Sequence, residues 1–220
     1  MVSGLVSRFF IFRNYLIAAT AAILVLTFFA KQYAFFPFDL YITREIQLIN
    51  LPLFRELMLF LTWMGNVYQT IFTIGIVTLV FLFIRRKDLA VGVLFSALGA
   101  VVISETLKFI VRRPRPDDGL INQIENFTKD DSFPSGHVLY YVGLFGFLLF
   151  AAFTIIKNKN LRVVISGLFM VLIILIGVSR IYLGSHWFSD TLASYLIGSI
   201  WLYVVVLLFK RYQLLLDNVK

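Results

Sequence analysis

The chain contains two histidines, and each stands at the edge of an apolar run. His137 lies in PSGHVLYY and His186 in SRIYLGSHWFSD. Asp190 follows His186 by four residues, so the two share a helix face if a helix begins near His186. A carboxylate that accepts from one imidazole nitrogen fixes the tautomer and frees the other nitrogen for attack. His137 would then be a separate acid or base. Three cations, Lys108, Arg115 and Arg180, fall beside other apolar runs. Gathered near a membrane surface they need an anion, and a tetrahedral phosphate suits both the arginine fork and the lysine point charge. Ser135 and the amides of Gly136 and His137 sit at an expected helix N-terminus. Unpaired N–H groups and the helix dipole favour an anion there, and Gly136 lets the backbone approach closely. A nucleophile, clustered cations and a proton donor are the parts that phosphoryl transfer needs. The same His and Asp residues could bind a metal, but three cations around only two histidines would repel one.

The elements that must position these residues are membrane helices. Of 220 residues 60% are hydrophobic and 15% charged, more apolar surface than a water-soluble domain can hide. With no cysteine, disulfides, thiol nucleophiles and thiolate metal sites are excluded. The net charge of +8 lies mostly between apolar runs, where it orients a membrane protein rather than meeting nucleic acid. The basic N-terminus and its apolar run lack a small-residue cleavage site, so the run reads as a retained span. We expect an all-α polytopic fold, one domain over 1–220, with six spans at about 14–30, 66–84, 89–110, 137–156, 162–179 and 189–209. Non-alternating runs such as LIAATAAILVLTFF exclude a β-barrel.

Six spans put both termini on one side. The segments on that side carry eleven basic residues and two acids, against nine basic residues and ten acids opposite. The first side is expected to be cytoplasmic and the second, with both histidines, to face outward. All three clusters, Lys108 to Pro116, Pro134 to His137 and Ser179 to Asp190, then fall at one depth on the outer side. The segment PFDLYITREIQLINLPLFRELMLF is too charged to span easily. Ile42, Ile46, Ile49, Leu53 and Leu57 recur at helical spacing, which predicts one or two interfacial helices broken at Pro52. The 111–136 connection is long enough to be functional or disordered. Arg112 and Arg113 read as helix-end anchors, and Glu105 as a partner for Lys108. Tyr140, Tyr141, Tyr182 and Trp187 read as an interfacial aromatic belt.

With these clusters in place, the sequence resembles the type 2 phosphatidic acid phosphatase (PAP2) superfamily. Its signature is Lys, six residues, Arg-Pro; then Pro-Ser-Gly-His; then Ser-Arg, five residues, His, three residues, Asp. Here it reads KFIVRRPRP, PSGH and SRIYLGSHWFSD without departure. The resemblance implies a bacterial-type membrane lipid phosphatase of six helices, with its site at the outer face and no cofactor or metal. It implies that His186 attacks phosphorus to form a phosphohistidine, that Asp190 orients it, and that His137 protonates the leaving lipid oxygen. Lys108, Arg115, Ser135, Gly136, Arg180 and Ser179 would hold the phosphoryl group. The implied partner is a lipid phosphate drawn from the bilayer: undecaprenyl diphosphate, phosphatidylglycerophosphate or phosphatidate. Neither nucleic acid nor an obligatory protein partner is expected. A lipid phosphotransferase is the nearest alternative. A non-enzymatic anion transporter would need polar residues through the bilayer, and the inner halves of these spans are almost wholly apolar.

Overall fold

The computed structural model describes residues 2–125 and 131–217, with side chains described for 13–125 and 131–215. Lys129, Asp130 and Lys220, counted among the loop charges above, lie outside the described residues, as do the side chains of Arg8 and Asp217. Every regular element described is an α-helix: α1 (Val2–Gln32), α2 (Pro37–Gln47), α3 (Pro52–Met64), α4 (Val67–Phe83), α5 (Lys87–Val111), α6 (Gly136–Ile155), α7 (Lys159–Tyr182) and α8 (Phe188–Asp217).

Among the described residues, α1, α5, α6, α7 and α8 are each long and apolar enough to cross a membrane. The expected span at 66–84 is α4, whose 17 residues reach only about 25 Å at ~1.5 Å per residue, short of a ~30 Å hydrocarbon core. It makes a sixth span only together with α3, from which it is bent by 69°. Several helices overrun the expected spans, because polar end residues leave the hydrocarbon without ending the helix.

Helix α6 is the centre of the bundle. Residues 138–147 are buried without interruption, the pattern of a helix that is apolar all round. It packs against α5, α7 and α8. The Ser96 hydroxyl donates to the Gly143 carbonyl at 2.8 Å, and Trp201 Nε1 donates to the Ser96 carbonyl at 2.8 Å, linking α5, α6 and α8. Ile17, Leu24, Phe72, Leu79, Val164 and Leu168 point outward from α1, α4 and α7; such faces suit lipid rather than water.

The segment before the bend forms two helices, each opened by a proline, Pro37 and Pro52, where the missing N–H costs nothing. The end of the apolar stripe in this segment is exposed. Leu53 is 83% exposed and Leu57 40%, while Asp39 and Thr43 are the buried residues of α2. Polar pairing, rather than apolar periodicity, decides which face of α2 turns in. The expected aromatic belt is corrected: Tyr140, Tyr141, Tyr182 and Trp187 are all buried. Tyr141 donates its hydroxyl to the Leu61 carbonyl at 2.7 Å, which pays for its interior position.

Candidate active site

At one end of the bundle the C-terminus of α5, the N-terminus of α6, the C-terminus of α7 and the N-terminus of α8 converge. Helix α5 stops because Arg112 adopts a left-handed conformation (φ 54°) and Pro114 and Pro116 follow. The departing chain folds over the site. Ser132 N–H donates to the Arg113 carbonyl at 2.7 Å, and Ile124 N–H donates to the Leu183 carbonyl at 3.1 Å. The turn after α7 is pinned by Ser185 and His186 N–H groups donating to the Arg180 carbonyl at 3.0 and 3.1 Å.

His186 therefore sits in a turn two residues before α8, not on that helix, and is 1% exposed. Its Nδ1 lies 2.7 Å from the Ser132 carbonyl oxygen. A carbonyl can only accept, so Nδ1 carries the proton and Nε2 presents its lone pair. Arg115 Nη1 is 3.3 Å from that Nε2 and donates to the Ser185 carbonyl at 2.8 Å. Burial pushes the His186 imidazole well below its usual value of 6.5, and the neighbouring cations Arg115, Arg180 and Lys108 push it the same way. The ring is held neutral.

Asp190 does not orient the ring as the spacing predicts. Its Oδ2 is 3.8 Å from Nδ1, too far for a hydrogen bond, and a neutral ring forms no ion pair. That oxygen instead accepts from the Ser132 hydroxyl and from Trp187 N–H at 2.9 Å. Asp190 thus caps the start of α8 and steadies Ser132, and the Ser132 carbonyl holds His186.

His137, at the start of α6, donates from Nε2 to the Thr62 carbonyl at 3.1 Å, so Nδ1 presents a lone pair in the neutral ring and has a proton to give only in the imidazolium form. The break between α3 and α4 lies against this ring. A Cβ on Gly65 would come within 2.3 Å of His137 Cδ2, so only glycine allows the approach. Thr62 serves twice, since its hydroxyl accepts from Arg180 Nη1 at 2.8 Å. Arg180 Nη1 also lies 3.2 Å from Glu125 Oε2. Lys108 pairs with Glu105 at 3.3 Å, as its spacing predicts.

Ser135 is fully buried, and its hydroxyl makes no hydrogen bond among the described residues. Gly136 packs closely enough that a Cβ there would lie 3.1 Å from Ser104 Oγ. Ser179 differs from expectation: its hydroxyl donates to the Met58 carbonyl at 2.6 Å and lies 2.9 Å from Thr62 Oγ1. It joins α7 to α3 and is already engaged.

Arg113 overturns its reading as an anchor. It is fully buried and ion-paired to Asp39 at 2.9 Å and to Asp190. Arg112 is exposed, with its guanidinium 5.0 Å from the Phe109 ring centroid, as an anchor would be. Asp39, Thr62, Arg113, Ser132 and Glu125 escape the motif reading. The one sequence signal for Asp39 is local: three residues after Phe36 it reaches back to that residue's N–H at 3.1 Å, half of a capping box.

Comparison with known proteins places the chain in a family. Residues 89–213 match the family model of the PAP2 superfamily. The undecaprenyl-diphosphatase of Sulfolobus acidocaldarius is 27% identical over 165 residues, 74% of each chain. Phosphatidylglycerophosphatase B of Bacillus subtilis is 27% identical over 171 residues, 74% of this chain and 79% of that one. The crystal structure of a transmembrane PAP2-type phosphatidylglycerolphosphate phosphatase from Bacillus subtilis shares the fold, with a TM-score of 0.74 at 22% identity over 89% of this chain and 96% of that chain. LpxE of Aquifex aeolicus does so at a TM-score of 0.61 and 24% identity, over 78% and 96%.

Proposed function

The chain belongs to the PAP2 superfamily, and from that premise we propose that it is a multi-pass membrane phosphatase that hydrolyses a lipid phosphate or diphosphate ester through a phosphohistidine. One observation carries the reading. His186 has Nδ1 committed to the Ser132 carbonyl at 2.7 Å, and its lone-pair nitrogen lies 3.3 Å from the Arg115 guanidinium. A nucleophile aimed at a phosphate-binding cation is what in-line displacement requires.

The reaction has two steps. Lys108, Arg115 and Arg180 surround the phosphoryl oxygens, and the Ser135 hydroxyl and the amides of Gly136 and His137 donate to them. His186 Nε2 forms a bond to phosphorus as the bond to the lipid oxygen breaks, and His137, entering the step as the imidazolium, gives that oxygen its Nδ1 proton and is left neutral. Water then attacks the phosphohistidine, His137 takes the proton back, and inorganic phosphate leaves with His186 restored. Three side-chain cations supply the positive charge that a metal supplies elsewhere. Asp190 and Ser179 serve the frame rather than the substrate. The uninterrupted burial of residues 138–147 beneath the site supports hydrolysis over ion passage.

The substrate is drawn from the bilayer, with its tail between helices and its phosphate at the interface. The relatives named above motivate undecaprenyl diphosphate and phosphatidylglycerophosphate first, then phosphatidate. Phosphate release by the purified protein, measured in EDTA on these three and lysophosphatidate, should show turnover on at least one. Silence on all four, or a strict demand for added magnesium or zinc, would sink the reading.

The site faces outward and both termini are cytoplasmic, from the excess of basic residues on the terminal side. Because the chain has no cysteine, Asp118→Cys in intact cells reports this cleanly. A membrane-impermeant maleimide should label it without lysis. Labelling only after lysis would invert the topology.

A further inference from the structure

Behind the His186 ring lies a buried charge cluster that the phosphoryl-transfer scheme does not use. Arg113 Nη1 donates to Asp190 Oδ1 and to Ser189 Oγ at 2.7 Å, Nη2 donates to Asp39 Oδ2 at 2.9 Å, and Nε donates to the Ala34 carbonyl at 3.1 Å. Its guanidinium also sits 4.9 Å from the Phe36 ring centroid. Asp39 is saturated in turn: Ser189 N–H donates to Oδ1 at 2.8 Å and the Ser189 hydroxyl to Oδ2 at 2.8 Å. Arg113, Asp39, Asp190, Ser189 and Ser132 are all fully buried. One cation between two carboxylates leaves a net charge of −1 on the side of the ring away from the phosphate site.

We propose that Arg113 and Asp39 are positioning residues that set the charge behind the nucleophile, and that Asp39 makes helix α2 part of the catalytic frame. The inference rests on the reading of His186 as the nucleophile. As Nε2 bonds to phosphorus, the ring gains positive charge, and a net negative cluster behind it stabilises that charge. A cluster of −2 would overshoot, because it would favour the protonated ring, whose Nε2 has no lone pair to attack with. Arg113 holds the balance between these limits. It also reaches Ser132 twice, through its own carbonyl and through Asp190.

Charged and titratable groups stand around His186 on several elements: Lys108 on α5, Arg115 on the loop after it, His137 on α6, Arg180 on α7 with Glu125 against it, and Asp190 on α8. Arg113 and Asp39 stand behind Asp190. Changing either alters the charge of the cluster without touching the cations in front. Removing the Arg113 cation makes it more negative and must raise the His186 midpoint. Removing the Asp39 charge makes it less negative and must lower it.

Direct titration tests this, because the chain has only two imidazoles. Histidine is labelled with carbon-13 at Cε1, the protein is placed in micelles, and His137→Gln assigns the two resonances. The wild-type His186 midpoint should lie below 6.5. In Arg113→Gln it should rise by about one unit or more, a Coulomb effect for a charge this near in a medium of intermediate dielectric. Asp39→Asn should move it down, and the double variant should return it toward wild type. The acid limb of kcat/KM should follow the same order. A frame that merely loosened would lower activity alike at every pH and move no midpoint. Unchanged midpoints, or both single variants moving the same way, would overturn the proposal. If Arg113→Gln does not fold, the downward shift in Asp39→Asn decides it alone. Because the titration needs no turnover, an inactive wild type would count against the phosphatase reading and not against this one.

Discussion

His186→Ala should reduce phosphate release at least about 10⁴-fold in kcat, on the scale seen when an enzyme's nucleophile is removed. The side chain is nearly fully buried but makes few hydrogen bonds, chiefly the one to the Ser132 carbonyl. Its removal leaves that carbonyl short of a donor, a cost of about 1–3 kcal/mol that a membrane bundle can bear. The variant should therefore elute as the folded protein does in detergent. The cations stay in place, so inorganic phosphate should still inhibit whatever activity remains. His186→Asn keeps an N–H donor for Ser132 and should be as inactive, which separates nucleophilicity from hydrogen bonding. Turnover near wild type in either variant would remove His186 from the reaction.

The second large effect is that of His137→Ala, and its signature is dependence on the leaving group. General acid catalysis is worth about 10²–10⁴-fold. A lipid alkoxide needs a proton to leave, so a phosphomonoester such as phosphatidate should lose that full amount. When a diphosphate is cut, the leaving lipid monophosphate is already a stable anion, and the loss should be smaller. An aryl phosphate should lose least. The geometry fits this role: Nε2 is fixed on the Thr62 carbonyl at 3.1 Å, and Gly65 gives the ring room. Equal losses on all three leaving groups would make His137 a binding residue instead.

These two histidines, with the cations, were legible because their types are rare in an apolar chain and their spacing is diagnostic. The helices were legible because only helices and closed barrels satisfy their backbone inside lipid, and the apolar runs do not alternate as barrel strands must. What the sequence hid is pairing across distance. Arg113 and Arg112 are adjacent and look alike, yet one is buried between two carboxylates and the other lies on the surface. Periodicity along α2 cannot show that Asp39 will find Arg113, 74 residues away. Thr62 positions His137 through its main-chain carbonyl, which any residue would offer. The His186–Asp190 spacing was read as direct contact, but α8 begins at Phe188, so the ring sits in a turn and Ser132 takes the bond. Helical spacing could not have revealed where the helix starts.

The mechanism turns on a covalent bond between phosphorus and His186 Nε2. The most direct measurement is a rapid quench in alkali of enzyme mixed with lipid carrying radiolabelled phosphate, followed by peptide mapping. Label should survive base and be lost in acid, lie on the peptide holding His186, and be absent from His186→Ala. A burst of free phosphate with no protein-bound label at any quench time, or label on another residue, would contradict it.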